Sequence, residues 1–196
     1  FSTRLSFTVA CEDLASRAKK ALLSIMQKLY MLRNNSLKVF LKIFDTQVKP
    51  IAMYGAELWG LDKAAVHIEK IHLYALKKFL GVHIKTPNDL VYGETGRYPI
   101  YINSSIQCIR YWLRIMRMDE NRLPVKAYEM LMWLDSRGKY TWVSGVREVL
   151  FQNGFGWVWL NQGVQNIKAF LSEYRQRLID CNWQKWSEHI NNSERF

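Results

Sequence analysis

Cysteine is scarce in this sequence and widely spaced. Cys11, Cys108 and Cys181 are the only three among 196 residues, and they form no CxxC pair and no cluster with histidine at metal-ligand spacing. This pattern excludes a disulfide framework and a zinc motif, and it is typical of proteins in a reducing compartment. We therefore expect an intracellular protein, in the nucleus or the cytoplasm.

Long apolar runs are also missing, so no segment is expected to span a membrane. The longest run without a charged residue, 149–167, contains six side-chain amides, which are costly to place in hydrocarbon. We find no signal-peptide pattern. The chain opens at Phe1 without an initiator methionine and in mid-pattern, which leads us to expect a piece of a longer polypeptide.

The sequence has no cluster of carboxylates of the kind that metal-dependent polymerases and nucleases use to hold their cations. The only adjacent acidic pairs are Glu12 with Asp13 and Asp119 with Glu120, which we interpret as charges near helix ends. No YxDD, HExxH, GxSxG or GxxxxGK[ST] motif occurs. We therefore expect no catalytic residue, no metal ligand and no cofactor in this chain.

Positive charge, in contrast, is abundant. The 28 Lys and Arg residues against 17 Asp and Glu give a net charge of +11, of which +8 falls in residues 1–110 and +3 in residues 111–196. An excess of this size favours a polyanionic partner such as nucleic acid. A basic protein without such a partner is the alternative.

The hydrophobic pattern predicts an all-α fold, because apolar residues recur at steps of three and four. On the first predicted helix the apolar face consists of Leu14, Ala18, Leu22, Ile25, Leu29 and Leu32. The predicted helices span about 8–33, 37–48, 62–80, 100–118, 124–134, 141–153 and 164–190, with a short one starting at 86–87.

Residues that begin, kink or end helices separate these elements. Ser36 and Thr86 are suited to cap the helices that follow them, and Gly81 is suited to end the helix before it. Pro50 is expected to kink or restart the second helix, because proline lacks the N–H donor. Residues 1–7, FSTRLSF, alternate weakly and are predicted to be a short strand remnant.

Four segments follow from this pattern. After the strand remnant, three helices with short connections make a compact bundle over residues 8–81. A connector with a basic helix occupies 82–118. A C-terminal helical segment occupies 119–196, beyond a soft boundary at 119–123.

Basic side chains form three stripes on the predicted helices. One consists of Arg110, Arg114 and Arg117, opposite the apolar face of its helix. The third helix carries His67, Lys70, Tyr74, Lys77 and Lys78, and the first helix carries Arg17, Lys19, Lys20 and Lys28. Such stripes bind phosphates with little sequence dependence, and an aromatic ring adds stacking. The alternative for each stripe is a solvated helix face.

Tryptophan is abundant, with eight residues in the chain. Six of them lie near apolar positions in the second half: Trp133, Trp142, Trp157, Trp159, Trp183 and Trp186. Packing between helices is the favoured interpretation for these large amphipathic rings, and a base-stacking surface is the alternative.

Several segments resemble one known family. Residues 37–60, LKVFLKIFDTQVKPIAMYGAELWG, resemble the segment after the catalytic palm in LINE-type (non-LTR) retrotransposon reverse transcriptases. The core of the likeness is FD at 44–45, VKPI at 48–51 and YGAELWG at 54–60. Further segments resemble the same family in the same order: 71–99, 154–164, 174–186 and FSTRLSF at the start.

The resemblance implies an RNA-directed DNA polymerase that copies its own transcript onto a nicked chromosomal target. In such enzymes the thumb is a helical bundle that grips the template–primer duplex, and the predicted helices over 8–80 match that position. RNA and DNA are then the expected ligands, and the upstream palm of the parent polypeptide is an expected partner. Mg²⁺ is implied for the parent polymerase alone.

The sequence departs from the family in what it lacks. We expect the fingers, the palm and the catalytic aspartates to lie upstream of Phe1, as would any endonuclease domain. The cysteine/histidine knuckle often found farther downstream in the family is also absent from this sequence. The resemblance therefore implies a role in holding nucleic acid and does not carry catalysis over to this chain. The alternative is a non-enzymatic helical protein-interaction module, a decayed or repurposed remnant of such an element.

Overall fold

The structure, a computed structural model, describes residues 6–33 and 36–192, with side chains up to residue 188. Within these ranges all regular elements are helical, which confirms the predicted all-α class. The predicted strand falls mostly on residues outside the described ranges, and Ser6 and Phe7 belong to no strand. In chain order the helices are α1 (Thr8–Met31), α2 (Leu37–Ile43), a π-helical turn (Phe44–Val48), α3 (Lys49–Ala52), α4 (Ala56–Trp59), a 3-10 turn (Lys63–Ala65), α5 (Val66–Leu80), α6 (Asn88–Thr95), α7 (Tyr101–Ile115), α8 (Leu123–Ser136), α9 (Trp142–Gln152), α10 (Gly156–Leu160) and α11 (Ile167–Asn192).

The chain forms two compact units. Unit 1 comprises the residues up to Gly55 together with Lys63–Tyr101, and unit 2 comprises Ala56–Asp62 together with the residues from Ile102 onward. The units therefore divide the chain at other positions than the segment boundaries predicted from the sequence. The predicted soft boundary at 119–123 lies inside unit 2.

Helix α1 packs on α5, α3 and the π-helical turn of unit 1. It buries most of the predicted apolar face, and the buried face also includes Cys11 and Ala15. Leu32, which was predicted to belong to this face, lies beyond the end of the helix and has 75% of its surface exposed. Glu12 and Asp13 are not first-turn charges, since α1 begins at Thr8. Asp13 instead pairs with Arg17 one turn later, at 2.6 Å.

Pro50 lies where a new α-helix, α3, begins, in agreement with the expected kink or restart. The π-helical turn just before it lets the Lys49 N–H bond to the carbonyl of Phe44, five residues back. Pro50 then occupies the first turn of α3, where a missing N–H donor is tolerated. The widened turn therefore carries the helical path through to Ala52.

Asp45, in the π-helical turn, accepts a bidentate hydrogen bond from Arg97. The two guanidinium–carboxylate distances are 3.0 and 2.7 Å, and Arg97 also donates to the Leu41 carbonyl at 3.4 Å. Both side chains are half-buried. Bidentate hydrogen bonds between a guanidinium group and a carboxylate are among the stronger polar contacts in proteins. This pair connects the segment after α6 to the region between α2 and α3.

Helix α7 is buried on most of its circumference, not along one stripe as predicted. Trp112, Ile109 and Leu113 have almost no exposed surface. Small polar residues on the same helix also lie in the core, where each is hydrogen-bonded: Ser105 to the Tyr174 hydroxyl at 2.7 Å and Ser104 to the Gly60 carbonyl at 2.9 Å. These short side chains allow neighbouring elements of unit 2 to approach α7 closely.

Gly60, at the end of the YGAELWG segment, is the point of closest approach. A Cβ atom built on it would lie 2.5 Å from the Ala56 oxygen and 2.7 Å from the Ser104 Cβ. Cys108 donates to the same Ala56 carbonyl at 3.1 Å, and burial raises the pKa of its thiol to about 12. The absence of a side chain at position 60 is therefore required by packing.

A carboxylate also joins α8 to α9. Asp135, near the end of α8, accepts hydrogen bonds from the Ser144 hydroxyl and from Arg147, and its side chain is only 10% exposed. Ser144 also accepts from the Thr141 N–H, which completes a capping box at the start of α9. Hydrogen bonds from Ser144 and Arg147 hold the pKa of Asp135 below its ordinary range.

We expect Gly60→Ala to destabilise unit 2 by about 1–3 kcal/mol, the usual cost of overpacking a core. Gly145→Ala is the matched control, because its new Cβ would meet nothing closer than 3.5 Å and alanine favours the helix. Urea unfolding measures both. Equal stabilities for the two variants would contradict the close approach at Gly60.

We expect Asp135→Asn to cost about 1–2 kcal/mol near pH 7, since hydrogen bonds to a charged group are lost. A carboxyl whose folded-state pKa is lowered contributes stability that is present above its unfolded pKa of about 4 and lost as the pH falls through the folded value. The difference from wild type in urea unfolding should therefore shrink below about pH 4. Glu129→Gln, an exposed site on the same helix, should show no such pH dependence.

Candidate nucleic-acid interface

Unit 1 contains an open groove, about 460 Å³ in volume, that we call the lysine groove. It is lined by Lys19 of α1, by Lys70, Ile71, Leu73, Tyr74 and Lys77 of α5, and by Ile84 and Asn88. Apolar side chains make up part of its wall, and cations from two different helices lie at its edges. The groove joins residues that the sequence assigned to two separate stripes.

Lys19 and Tyr74 form the contact that connects the two helices in this groove. The Lys19 Nζ lies over the Tyr74 ring, 5.2 Å from its centroid. A cation in this position is attracted by the ring face, and the interaction leaves its N–H donors available to an anion. Lys70 is exposed and forms no ion pair with any described residue. Both lysines can therefore contribute charge to a phosphate.

Lys77 does not belong to a solvent-facing stripe, which corrects the prediction for this residue. Its side chain is buried, with 7% of its surface exposed, and its ammonium group donates to the Ile84 carbonyl at 2.8 Å. It thus satisfies a carbonyl of the loop after Gly81, the residue that ends α5 in the left-handed conformation (φ +69°) as predicted. Lys78 is exposed, whereas His67 and Tyr74 are half-buried.

The other predicted cations of α1 lie outside the lysine groove. Arg17, Lys20 and Lys28 are all exposed. Lys28 comes nine residues after Lys19, which is about two and a half helical turns, so it lies on the opposite side of α1. Arg17 is already paired with Asp13. Only Lys19 of the first-helix set lines the groove.

The arginine stripe in unit 2 is divided between two roles. Arg110 and Arg114 are exposed on α7, about one turn apart, and neither has an ion-pair partner among the described residues. Arg117 lies just past the end of α7 and donates to the carbonyls of Val164 and Gln165, at 2.9 and 2.7 Å. Its guanidinium therefore holds the loop between α10 and α11, which the prediction did not foresee.

Glu69 organises a polar network that the sequence did not reveal. One carboxylate oxygen accepts from the Tyr92 hydroxyl at 2.5 Å and contacts His72 Nδ1 at 3.3 Å, and the other accepts from the Tyr101 N–H at 3.3 Å. Burial and then the Glu69 charge raise the pKa of the Tyr92 phenol. His72 is buried and stacks on Phe44. The network positions α5 and α6.

The tryptophans fall into two groups. Trp112 and Trp159 are buried and stacked on each other at 5.6 Å, and Trp142 donates to the Glu57 carbonyl, as expected for packing. Trp133, Trp157 and Trp183 leave about half of their surfaces exposed: 52, 51 and 50%. The packing interpretation therefore holds for only part of the set.

Among the described residues, no group of three or more His, Cys, Asp or Glu side chains is placed so that it could hold a metal ion. None of the helices described above is both long enough and apolar enough to cross a membrane. Comparisons with protein-family models, with curated proteins and with solved structures give no match.

We expect Lys77→Met to destabilise unit 1 by about 1–2 kcal/mol, because methionine keeps the apolar stem but leaves the Ile84 carbonyl without its donor. Lys78→Met removes the same charge from an exposed position and should change stability by less than about 0.5 kcal/mol. Urea unfolding distinguishes them. If Lys77→Met were as stable as Lys78→Met, the buried hydrogen bond would be of no consequence.

Proposed function

We propose that this chain is the thumb and post-thumb part of a non-LTR retrotransposon RNA-directed DNA polymerase, and that it grips template–primer nucleic acid through the phosphate backbone. The proposal combines the resemblance of residues 37–60 and the later segments with an all-helical fold and a net charge of +11. Polymerase carboxylates and their Mg²⁺ belong, in this proposal, to the palm of the parent polypeptide. The chain itself would act without a cofactor, in the nucleus or the cytoplasm.

The observation that carries the proposal is the convergence of Lys19 and Lys70 on the lysine groove. Solvated charges scattered over helix faces do not need to converge, whereas a phosphate-binding groove requires cations from more than one element. Tyr74 adds an aromatic ring between them. Contacts of this chemistry are to the backbone, so they hold a duplex without reading its sequence.

The residues that carry the family resemblance have structural reasons to be where they are. Asp45 anchors Arg97, and Gly60 permits the approach to Ser104. These two residues of the likeness therefore have packing roles in this chain. Neither role involves a ligand, so the proposed binding relies on the cations of the lysine groove.

A second candidate function, a helical protein-interaction module, is favoured by α8. This helix is rich in apolar residues but buries only Tyr128 fully. Leu123, Met130 and Trp133 are 81, 58 and 52% exposed and lie close to one face of the helix. An exposed apolar stripe of this kind is typical of a contact site for another protein.

We expect binding of a fluorescein-labelled RNA–DNA hybrid duplex, followed by fluorescence anisotropy, to weaken steeply between about 50 and 200 mM salt. Each phosphate contact adds about 0.7–0.9 to the slope of log affinity against log salt. Lys19→Gln with Lys70→Gln should therefore lower the slope by about 1.4–1.8.

The matched control is Lys38→Gln with Lys42→Gln, which removes two exposed cations from α2 in the same unit. Its slope should stay close to that of the wild type. An affinity that does not change with salt would refute the proposed function. Equal losses for the two double variants would place binding outside the lysine groove. Self-association without any retention on the hybrid would favour the interaction module.

A further inference from the structure

Unit 2 contains a larger pocket, about 710 Å³ in volume, that the backbone-binding function does not use. It lies at the end of α7, beside α10 and the first turns of α11. Its lining includes Arg117, Trp157, Asn161, Gln165, Phe170 and Glu173. We call it the amide pocket, because side-chain amides provide most of its polar groups.

Trp157 gives the amide pocket an aromatic wall. Its ring meets the ring of Phe170 edge to face, with centroids 6.4 Å apart, and Phe170 is itself buried and stacked on Tyr174 at 6.0 Å. The ring is therefore supported from the core side. About half of the Trp157 surface remains exposed and is available to a planar ligand.

The loop that forms the rim of the pocket is held in place before any ligand binds. Arg117 bonds its carbonyls, as described above, and Gln162 accepts from the Tyr128 hydroxyl at 2.8 Å and donates to the Trp159 carbonyl at 2.7 Å. Gln162 and Gly163 both have positive φ, +49° and +147°. Because the loop is already ordered, a ligand need not supply the free energy of ordering it.

The polar groups of the pocket match the edge of a nucleobase. Asn161 and Gln165 have exposed side-chain amides, each with both hydrogen-bond donors and an acceptor. The Asn166 side-chain oxygen accepts from the Ala169 N–H at the start of α11, so the Asn166 NH₂ group remains available to a ligand. Side-chain amides pair with adenine edges, and a carboxylate such as that of Glu173 accepts from an exocyclic amino group. A base that carries an amino group is thus favoured over one that does not.

We propose that the amide pocket binds one unstacked, amino-bearing nucleobase of a single-stranded segment, with Trp157 stacking on its face. Arg110 and Arg114 bind the phosphates next to it. Arg110 and Arg114 come seven and three residues before Arg117, which lines the pocket. The row of arginines therefore extends from the pocket over about 10 Å along α7. This inference rests on the proposed function, and it adds base contact to backbone contact.

Uncharged nucleosides test the pocket without involving the phosphate backbone. Adenosine and cytidine are titrated into the ¹⁵N-labelled full chain, and the Trp157 indole N–H signal, assigned by its loss in Trp157→Phe, is followed. We expect saturable shifts with both nucleosides and a clearly weaker response to uridine. Trp157→Ala, followed through the backbone amide signals of the residues that line the pocket, should weaken binding by about fivefold or more, since stacking on an aromatic ring is lost.

Trp133→Ala is the control, because Trp133 is equally exposed but lies on α8, outside the pocket. It should leave nucleoside affinity unchanged. Glu173→Gln, which preserves shape, should remove the preference for cytidine over uridine. Arg110→Gln with Arg114→Gln should weaken binding of a trinucleotide while leaving adenosine binding as it is.

The absence of any saturable shift at Trp157, or an equal response to uridine, would overturn the inference. Binding of the hybrid duplex without nucleoside binding would refute only the amide pocket. Nucleoside binding without salt-dependent hybrid binding would refute the backbone-binding function and leave the pocket standing.

Discussion

The close approach of Gly60 to Ser104 is a packing constraint on which several other features of unit 2 depend. Because no side chain separates α4 from α7, Cys108 can reach the Ala56 carbonyl and Ser104 can reach that of Gly60. These contacts hold α7 in the core, so that only a narrow face of the helix stays in solvent. Arg110 and Arg114 lie on that face. The orientation of the arginines is therefore a consequence of packing on the opposite side of the helix.

Local features of the sequence predicted most of the helices, because helix periodicity and capping depend on residues within a few positions of one another. Gly81 ends α5 in the left-handed conformation, and Ser36 caps α2, both as expected. Pro50 lies in the first turn of a new helix, as expected, but the π-helical turn before it was not predicted, because periodicity carries no signal for such a turn. Thr86 was expected to cap α6, but the helix begins one residue later, after Pro87.

Predicting the candidate site required tertiary information that a single sequence does not contain. The cation excess and the basic helices were visible in the sequence, but the pairing of Lys19 with Tyr74 depends on how α1 packs on α5. Lys77 and Arg117 show a second limit of predicting binding residues from the sequence. Both have long side chains whose charged ends bond to backbone carbonyls, 7 and about 47 residues away along the chain, and a helical stripe cannot distinguish such residues from solvated ones.

Folding and the proposed ligand binding therefore involve largely separate sets of residues in this chain. Asp45, Arg97 and Gly60 are fixed by internal contacts, so their replacement disturbs the fold whatever the chain binds. Lys70, Arg110 and Arg114 are exposed and make no ion pair in the described part of the chain, so internal contacts leave their charge available to an external anion. Arg114 also lies in the last turn of α7, where the helix dipole favours a cation, so its charge has a reason within the fold as well. The proposal of a polyanionic ligand therefore rests on the position of Lys19 and Lys70, which converge on one groove, more than on the total charge.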